Sequence, residues 1–236
     1  MSATPLAVVV PALNEAQRLP LLLADLQQAP PGLLQALVLV DGGSTDATAQ
    51  VASLAGAQLL HSAAGRGRQL QRGVGVTTAP WLLLLHADCR LPAGWGEAVQ
   101  RAMAMPPAAW AFDLAVEGPG LPLRLLELAV RLRSQLRQLP YGDQGLLVPR
   151  PLLEQAGGVP AIPLMEDLCL IQRLQRHTRI RRLGLPLQVD GRRWRRRGVL
   201  GTALQNAQLR RAWRQGSSPA DLAQLYYGQG EGGISR

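Results

Sequence analysis

Short apolar runs alternate along this chain with amphipathic stretches, and that alternation predicts most of its architecture. Residues 6–10, 37–40, 57–60 and 81–85 are apolar runs bounded by Gly, Pro or polar residues, as expected for strands buried on both faces of a parallel sheet. After the first run, Leu19, Leu22, Leu23 and Leu26 recur at helical spacing, and after the second Ala49, Val51, Ala52 and Ala55 do the same. Strands alternating with helices pair in parallel through right-handed crossovers, so the expected fold is one α/β domain with a mainly parallel sheet flanked by helices. Further on, Trp95, Ala98, Val99 and Ala102 mark a helix face, residues 110–116 and 146–148 read as strands, and Leu168, Leu170, Ile171 and Leu174 read as a helix. Helices over 199–215 and 219–227 complete a domain spanning 1–227, and the glycine-rich residues 228–236 are expected to form a disordered tail.

The stretch from Leu121 to Arg137 stands apart. Leu121, Leu125, Leu128, Ala129, Leu132 and Leu136 form a stripe, with Arg124, Arg131, Arg133 and Arg137 on other faces. The stripe is expected to pack on the domain's own sheet; the alternative is a basic amphipathic helix lying on a membrane or a partner.

The turns carry the candidate chemistry. Asp41 ends an apolar strand, Gly42 and Gly43 turn the chain, and Ser44, Thr45 and Asp46 are residues that cap a helix start. A carboxylate at that strand edge can hydrogen-bond a ribose or a base. The small basic segment Gly65-Arg66-Gly67-Arg68-Gln69 suits a diphosphate, or else a solvated loop. His86 and Asp88 follow the fourth apolar run, where an aspartate can hold Mg²⁺ or Mn²⁺. Asp143 and Gln144 lie between glycines before a strand. Glu166 and Asp167 stand at a helix N-terminus, where the helix dipole favours their ionised forms.

Composition narrows the class without choosing the ligand. The 236 residues are 47% hydrophobic and carry a net charge of +9, with every one of the 25 basic side chains an arginine. Guanidinium groups suit phosphate ligands, nucleic acid or an anionic membrane surface. No apolar run is long enough to span a membrane, and the N-terminus lacks a charged leader, so a cytoplasmic location is expected, peripheral at the inner face of the membrane if the basic helix touches it. Cys89 and Cys169 have no neighbours at metal-finger spacing, so neither zinc nor a disulfide framework is expected.

Six motifs carry a family resemblance: PALNE at 11–15, VDGGSTD at 40–46, LLLLHAD at 82–88, YGDQG at 141–145, PLMED at 163–167 and GRRW at 191–194. In this order the chain resembles family 2 glycosyltransferases of the GT-A fold, and is similar to a small bacterial subgroup described as selenodomain-associated transferases. The resemblance implies an inverting transferase that moves a sugar from a nucleotide diphosphate sugar to an acceptor hydroxyl, with a Rossmann-like nucleotide-binding half. It implies that Pro11, Asn14, Glu15 and Asp41 surround the base and ribose, with Arg66, Arg68 and Gln71 approaching the nucleotide. Asp88 matches the second aspartate of the family's DxD metal motif, which implies a divalent cofactor, Mn²⁺ or Mg²⁺, on Asp88; the first aspartate is His86 here, a departure from the motif, although histidine can also ligate Mn²⁺. Asp143, Gln144, Arg193 and Trp194 fall on the acceptor or diphosphate side. Asp167 matches the general base, with Glu166 as second choice or orienting partner. Two other classes compete: a nucleotidyltransferase-like enzyme of similar fold, and an arginine-rich nucleic-acid-binding module suggested by residues 191–197. The first lacks a Gly-rich, lysine-bearing loop after strand one, and the second has no accompanying nucleic-acid module, so no nucleic-acid partner is expected.

Overall fold

A computed structural model describes residues 5–228, without the side chains of Arg193, Arg196, Arg197 and Tyr227. Of the expected tail over 228–236, Gly228 belongs to the last helix and the rest lies outside the described residues. The first half is a run of strand–helix units: β1 (Leu6–Ala12), α1 (Leu19–Leu26), β2 (Leu34–Asp41), α2 (Thr48–Leu54), β3 (Gln58–His61), α3 (Arg66–Gly75) and β4 (Trp81–Leu84). A two-residue β5 (Cys89–Arg90), α4 (Trp95–Met103), β6 (Ala109–Val116), α5 (Leu121–Arg137), β7 (Leu146–Pro149), α6 (Arg150–Gln155) and α7 (Glu166–Leu174) follow. The described residues end with β8 (Ile180–Val189), α8 (Arg192–Arg197), α9 (Val199–Arg214) and α10 (Pro219–Gly228).

The strands form one sheet in the order β3-β2-β1-β4-β7-β6-β8-β5. Pairing is parallel across β3, β2, β1 and β4 and between β6 and β8; β7 runs antiparallel to both of its neighbours. The β8 strand carried no expectation from the sequence, because Arg181, Arg182, Gly184 and Pro186 break its apolar pattern. Part of its polarity is matched within the sheet, where Arg182 Nε donates to Asp113 Oδ1 on β6 at 2.6 Å.

Alternation along the central strands builds two cores. Leu6, Val8 and Val10 of β1 join Leu83, Leu85, Trp95 and Phe112 on one face, while Ala7 and Val9 join Val38, Val40, Leu70 and Ile171 on the other. On the second face α3 lies unusually close. A Cβ on Gly73 would stand 2.4 Å from Val9 Cγ1 and 3.0 Å from Val40 Cγ2, so only glycine allows this approach. Gln69, one turn earlier and buried, donates its amide to the Ala12 carbonyl at 2.9 Å and the Val40 carbonyl at 2.7 Å. That single side chain ties α3 to the ends of two strands.

The α5 helix reverses the expectation drawn from its stripe. Its packed face is Leu123, Val130 and Ser134, whereas Leu121, Leu125, Leu128, Leu132 and Leu136 are exposed. Two polar contacts fix this rotation: Glu127 Oε1 accepts the Val116 N–H at 2.8 Å, and Ser134 Oγ donates to Gln144 Oε1 at 3.1 Å.

At the end of β8, Asp190 is buried and collects three arginines: Arg18 at 3.1 Å, Arg192 at 3.2 Å and Arg195 at 3.4 Å. The Arg192 N–H also donates to it at 2.7 Å. This cluster fastens α8 to the sheet edge. We expect Asp190→Ala to lower unfolding stability by about 1–3 kcal/mol, because the Arg192 N–H and three partly exposed arginines lose the buried carboxylate they share. Gly73→Ala should cost about 1–3 kcal/mol by overpacking, more than the roughly 1 kcal/mol that alanine returns in helix propensity. Gly75→Ala in the same helix meets open space and should be neutral or stabilising. Urea unfolding of the three variants reads these differences; equal stability of the two alanine variants in α3 would contradict the close packing.

Candidate functional site

The C-terminal ends of β1, β2 and β4 meet on one edge of the sheet, the edge that binds ligands in open α/β folds. The loops leaving β1 and β2 are sewn together. Asn14, at φ +54°, donates its N–H to Ser44 Oγ and accepts the Thr45 N–H through Oδ1, both at 2.9 Å, while the Glu15 N–H reaches Thr48 Oγ1 at 2.8 Å. Asp46 accepts the N–H groups of Thr48 at 2.9 Å and Ala16 at 3.1 Å, so it links the loops just before α2, whose capping position is Ala47.

Beside these loops opens a cleft of about 340 Å³. Arg66, at the start of α3, and His86 and Asp88, after β4, line it together with Asp143 and Asp167. Trp194, Leu209, Arg210 and Tyr226 from α8, α9 and α10 also border it. Asp167 occupies the first turn of α7, which starts after Met165 at φ +65°. Its Oδ2 accepts the Gly142 N–H at 2.8 Å and its Oδ1 accepts the Leu168 N–H at 2.7 Å. A Cβ on Gly142 would meet His86 Nε2 at 3.0 Å and Asp167 Oδ2 at 3.3 Å. The glycine therefore brings the imidazole and the carboxylate close to one backbone.

Burial governs the protonation of several of these groups. It pushes Asp143 up to about 6 against the opposing charge of Arg133, and Asp143 Oδ1 is buried without a hydrogen-bond partner among the described residues. Burial, aided by Arg66, pulls His86 down to about 4, so its imidazole is neutral at pH 7. Burial raises Glu15 to about 7 despite Arg192, and raises Glu166 despite its 2.9 Å ion pair with Arg66. For Glu166 the desolvation cost thus outweighs the helix dipole that favours ionisation at this position.

The expected site residues divide into three groups. Arg66, His86, Asp88, Asp143, Asp167 and Trp194 line the cleft. Pro11, Asn14, Glu15 and Asp41 lie in the joined loops and strand ends at its side, Glu15 through an ion pair to the cleft residue Arg192. Asp41, however, is buried and bound into its own turn: it accepts the N–H of Gly43 at 3.1 Å and both the N–H and hydroxyl of Ser44. It shapes the turn at the strand edge.

The third group points elsewhere. Arg68 and Gln71 are exposed on α3, and the Gln71 amide donates to the Val159 carbonyl at 3.4 Å. The basic segment expected as a loop is the first turn of α3, and Gly67 serves close packing, since a Cβ there would stand 2.3 Å from the Pro160 carbonyl oxygen. Gln144 is fully buried and belongs to the scaffold, donating to the Phe112 carbonyl at 2.9 Å and accepting from Ser134. Glu166 is 2% exposed and sits behind the cleft on Arg66, a position suited to orienting that arginine and closed to an acceptor. The Arg193 side chain lies outside the described residues. Asp190 and Tyr141 carried no site expectation, yet both line the cleft. Asp190, like Asp41, is an aspartate directly after a strand and before glycine, but the polar residues of β8 hide that signal. Tyr141 lies under the Arg133 guanidinium, 3.7 Å from its ring centre.

Among the described residues, no group of three or more His, Cys, Asp and Glu side chains is gathered to hold an ion. The cleft does offer the Asp88 carboxylate and a neutral His86 imidazole, a donor set that fits Mg²⁺ or Mn²⁺ when substrate phosphates and water complete the shell.

Known proteins match this chain at several levels. The family model for Glycosyl transferase family 2 matches residues 7–125, half of the chain. A PGL/p-HBAD biosynthesis glycosyltransferase of Mycobacterium tuberculosis is 37% identical over 95 residues, covering 37% of this chain and 37% of that protein. An uncharacterized glycosyltransferase of the same species is 40% identical over 95 residues, covering 40% of this chain and 41% of that protein. The chain thus matches about two-fifths of the length of these relatives. Among solved structures, the mannosyltransferase of Pyrobaculum calidifontis in complex with GDP-Man and Mn²⁺ has a TM-score of 0.62 at 20% identity, over 78% of this chain and 56% of that one. Glucosyl-3-phosphoglycerate synthase of Mycobacterium tuberculosis, in complex with Mn²⁺ and UDP-glucose, has a TM-score of 0.58 at 22% identity, over 78% of this chain and 69% of that one. These likenesses agree with the sheet order in placing the fold among GT-A glycosyltransferases, and with its matching half the chain belongs to glycosyl transferase family 2.

Proposed function

We propose that this chain is an inverting glycosyltransferase, using a nucleotide diphosphate sugar as donor and an acceptor hydroxyl as nucleophile, with residues 1–227 as its transferase domain. The observation that carries this reading is the convergence of Arg66, Asp88 and Asp167 on one cleft at the C-terminal strand edge of a family 2 chain. The joined loops bearing Asn14, Glu15 and Asp41 would seat the nucleoside, and Arg66, held by Glu166, would face the diphosphate. The ligands of the structural neighbours, UDP-glucose with Mn²⁺ and GDP-Man with Mn²⁺, support this donor class.

Asp167 would take the proton of the acceptor hydroxyl as that oxygen attacks the anomeric carbon. The bond from that carbon to the diphosphate oxygen breaks on the opposite face, so one displacement inverts the configuration. Asp88, with His86, would hold a divalent cation that supplies Lewis-acid neutralisation of the leaving diphosphate. Arg66 would add fixed positive charge on the same group, a contribution of several kcal/mol to transition-state stabilisation. The buried, unpartnered Oδ1 of Asp143 favours one other assignment, in which Asp143 rather than Asp167 receives the proton.

A nucleoside diphosphate with Mn²⁺, at about a hundred times its dissociation constant, should stabilise the fold by about 2.7 kcal/mol. For this chain length the thermal midpoint should rise by about 5–10 °C. Asp88→Ala should lose the Mn²⁺-dependent part of that shift; a parental response to Mn²⁺ would remove Asp88 as a ligand, and no shift with UDP, GDP, ADP, CDP or dTDP would contradict the donor class.

Asp167→Asn should leave donor affinity nearly parental and lower kcat by about 10²–10⁴-fold, since asparagine accepts the Gly142 N–H but takes no proton. Steady-state turnover with an identified donor and acceptor measures this. Near-parental turnover in Asp167→Asn together with a large loss in Asp143→Asn would transfer the base role to Asp143.

A further inference from the structure

We propose that the outer face of α5 docks the protein on an anionic phospholipid surface. The five leucines of that face are exposed by 71% (Leu121), 57% (Leu125), 51% (Leu128), 47% (Leu132) and 78% (Leu136). At about 100° per residue they share an arc of about 80°, opposite the buried Leu123 and Val130. Rotation cannot hide them. The Glu127 contact to the Val116 N–H and the Ser134 contact to Gln144 hold the helix from its inner side, and the inner face is already packed.

Contiguous apolar surface of this kind marks an interaction site rather than ordinary surface variation. The occupant follows from charge. Arg124 and Arg131, both exposed, flank the stripe on one side, Arg131 toward solvent and Arg124 paired to Glu127 at 2.7 Å. Arginine stems lie along an apolar surface and carry their guanidinium groups to the level of lipid phosphates. The neighbouring α9 packs beside α5 and adds exposed Leu200 and Leu204, 85% and 61% accessible, together with exposed Arg211 and Arg214. A second copy of this chain would bring the same arginine rows against these, whereas an anionic bilayer supplies the opposite sign. Among the described residues no helix is long and apolar enough to cross a membrane. The 17-residue α5, about 25 Å long, therefore lies along the interface. This surface is opposite the packed face of α5 and does not depend on the transferase reading.

Co-sedimentation with vesicles tests the proposal. The full chain should pellet with phosphatidylcholine vesicles containing about one-third phosphatidylglycerol, and more weakly with phosphatidylcholine alone or at high salt. The double variant Leu125→Glu, Leu132→Glu should bind about 100-fold more weakly, as two leucines lose their burial in the interface. The uncharged pair Leu128→Gln, Leu132→Gln should also lose binding, which separates lost apolar contact from charge repulsion and serves if the glutamate variant fails to fold. Leu54→Glu, an 82% exposed leucine on α2, should bind like the parent. Parental binding by both stripe variants, or no binding of the parent to the acidic vesicles at low salt, would overturn the proposal. So would a parent dimer in sedimentation that dissociates in the variants without any vesicle binding, an outcome that assigns the stripe to a second copy.

Discussion

Carboxylates crowd one edge of this sheet, and the arrangement around them follows from the cost of removing their charge from water. A buried carboxylate persists in its ionised form only with a cation or several N–H donors close by. Asp190 has three arginines, Glu166 has Arg66, and Asp41 has the backbone of its own turn. These matched groups are structural: they fasten α8, hold an arginine at the cleft wall and set the loop after β2. Among the described residues Asp143 has no such cation in contact, and like Glu166 it keeps one buried oxygen without a partner and an acidity weakened by burial. It lines the cleft with Asp88 and Asp167, the carboxylates to which the proposed reaction gives the cation and the proton.

Close backbone approach makes that edge possible. Gly73 lets α3 settle against β1 and β2, which brings Gln69 within reach of the Ala12 and Val40 carbonyls and places Arg66 at the head of the helix, facing the cleft. Gly142 performs the same service on the other side, where the backbone beside Asp143 lies against His86 and Asp167. The cleft is therefore built by packing contacts some distance from the atoms that line it. A lost contact at either glycine would move several polar groups together.

Much of the architecture was legible because fully buried parallel strands leave uninterrupted apolar runs, as at β1, β2 and β4, and because an aspartate after such a run sits on the ligand edge. The failures have equally physical causes. In β8 the arginines and Pro186 are compatible with a strand only because neighbouring β6 offers Asp113, a pairing remote in sequence. The adjacent residues Asp143 and Gln144 diverge in the short helical turn before β7, one into the cleft and one into the scaffold, and a linear pattern does not record that rotation. Glu166 and Asp167 separate for the same reason. In α5 the leucine stripe is the stronger hydrophobic signal, yet the contacts of Glu127 and Ser134 turn the other face inward.

The central claim is that the loops joined at Asn14 and Ser44, the head of α3 and the segment from His86 to Asp88 form one nucleotide diphosphate site. Amide hydrogen exchange in the presence of nucleoside diphosphates and Mn²⁺ tests it most directly, because it reports where a ligand sits without requiring an acceptor. With the cognate nucleotide, the account predicts added protection in peptides spanning 12–16, 41–48, 65–69 and 86–90, and none on α5. Protection confined to other surfaces, or a bound nucleotide that leaves these four segments unchanged, would contradict it.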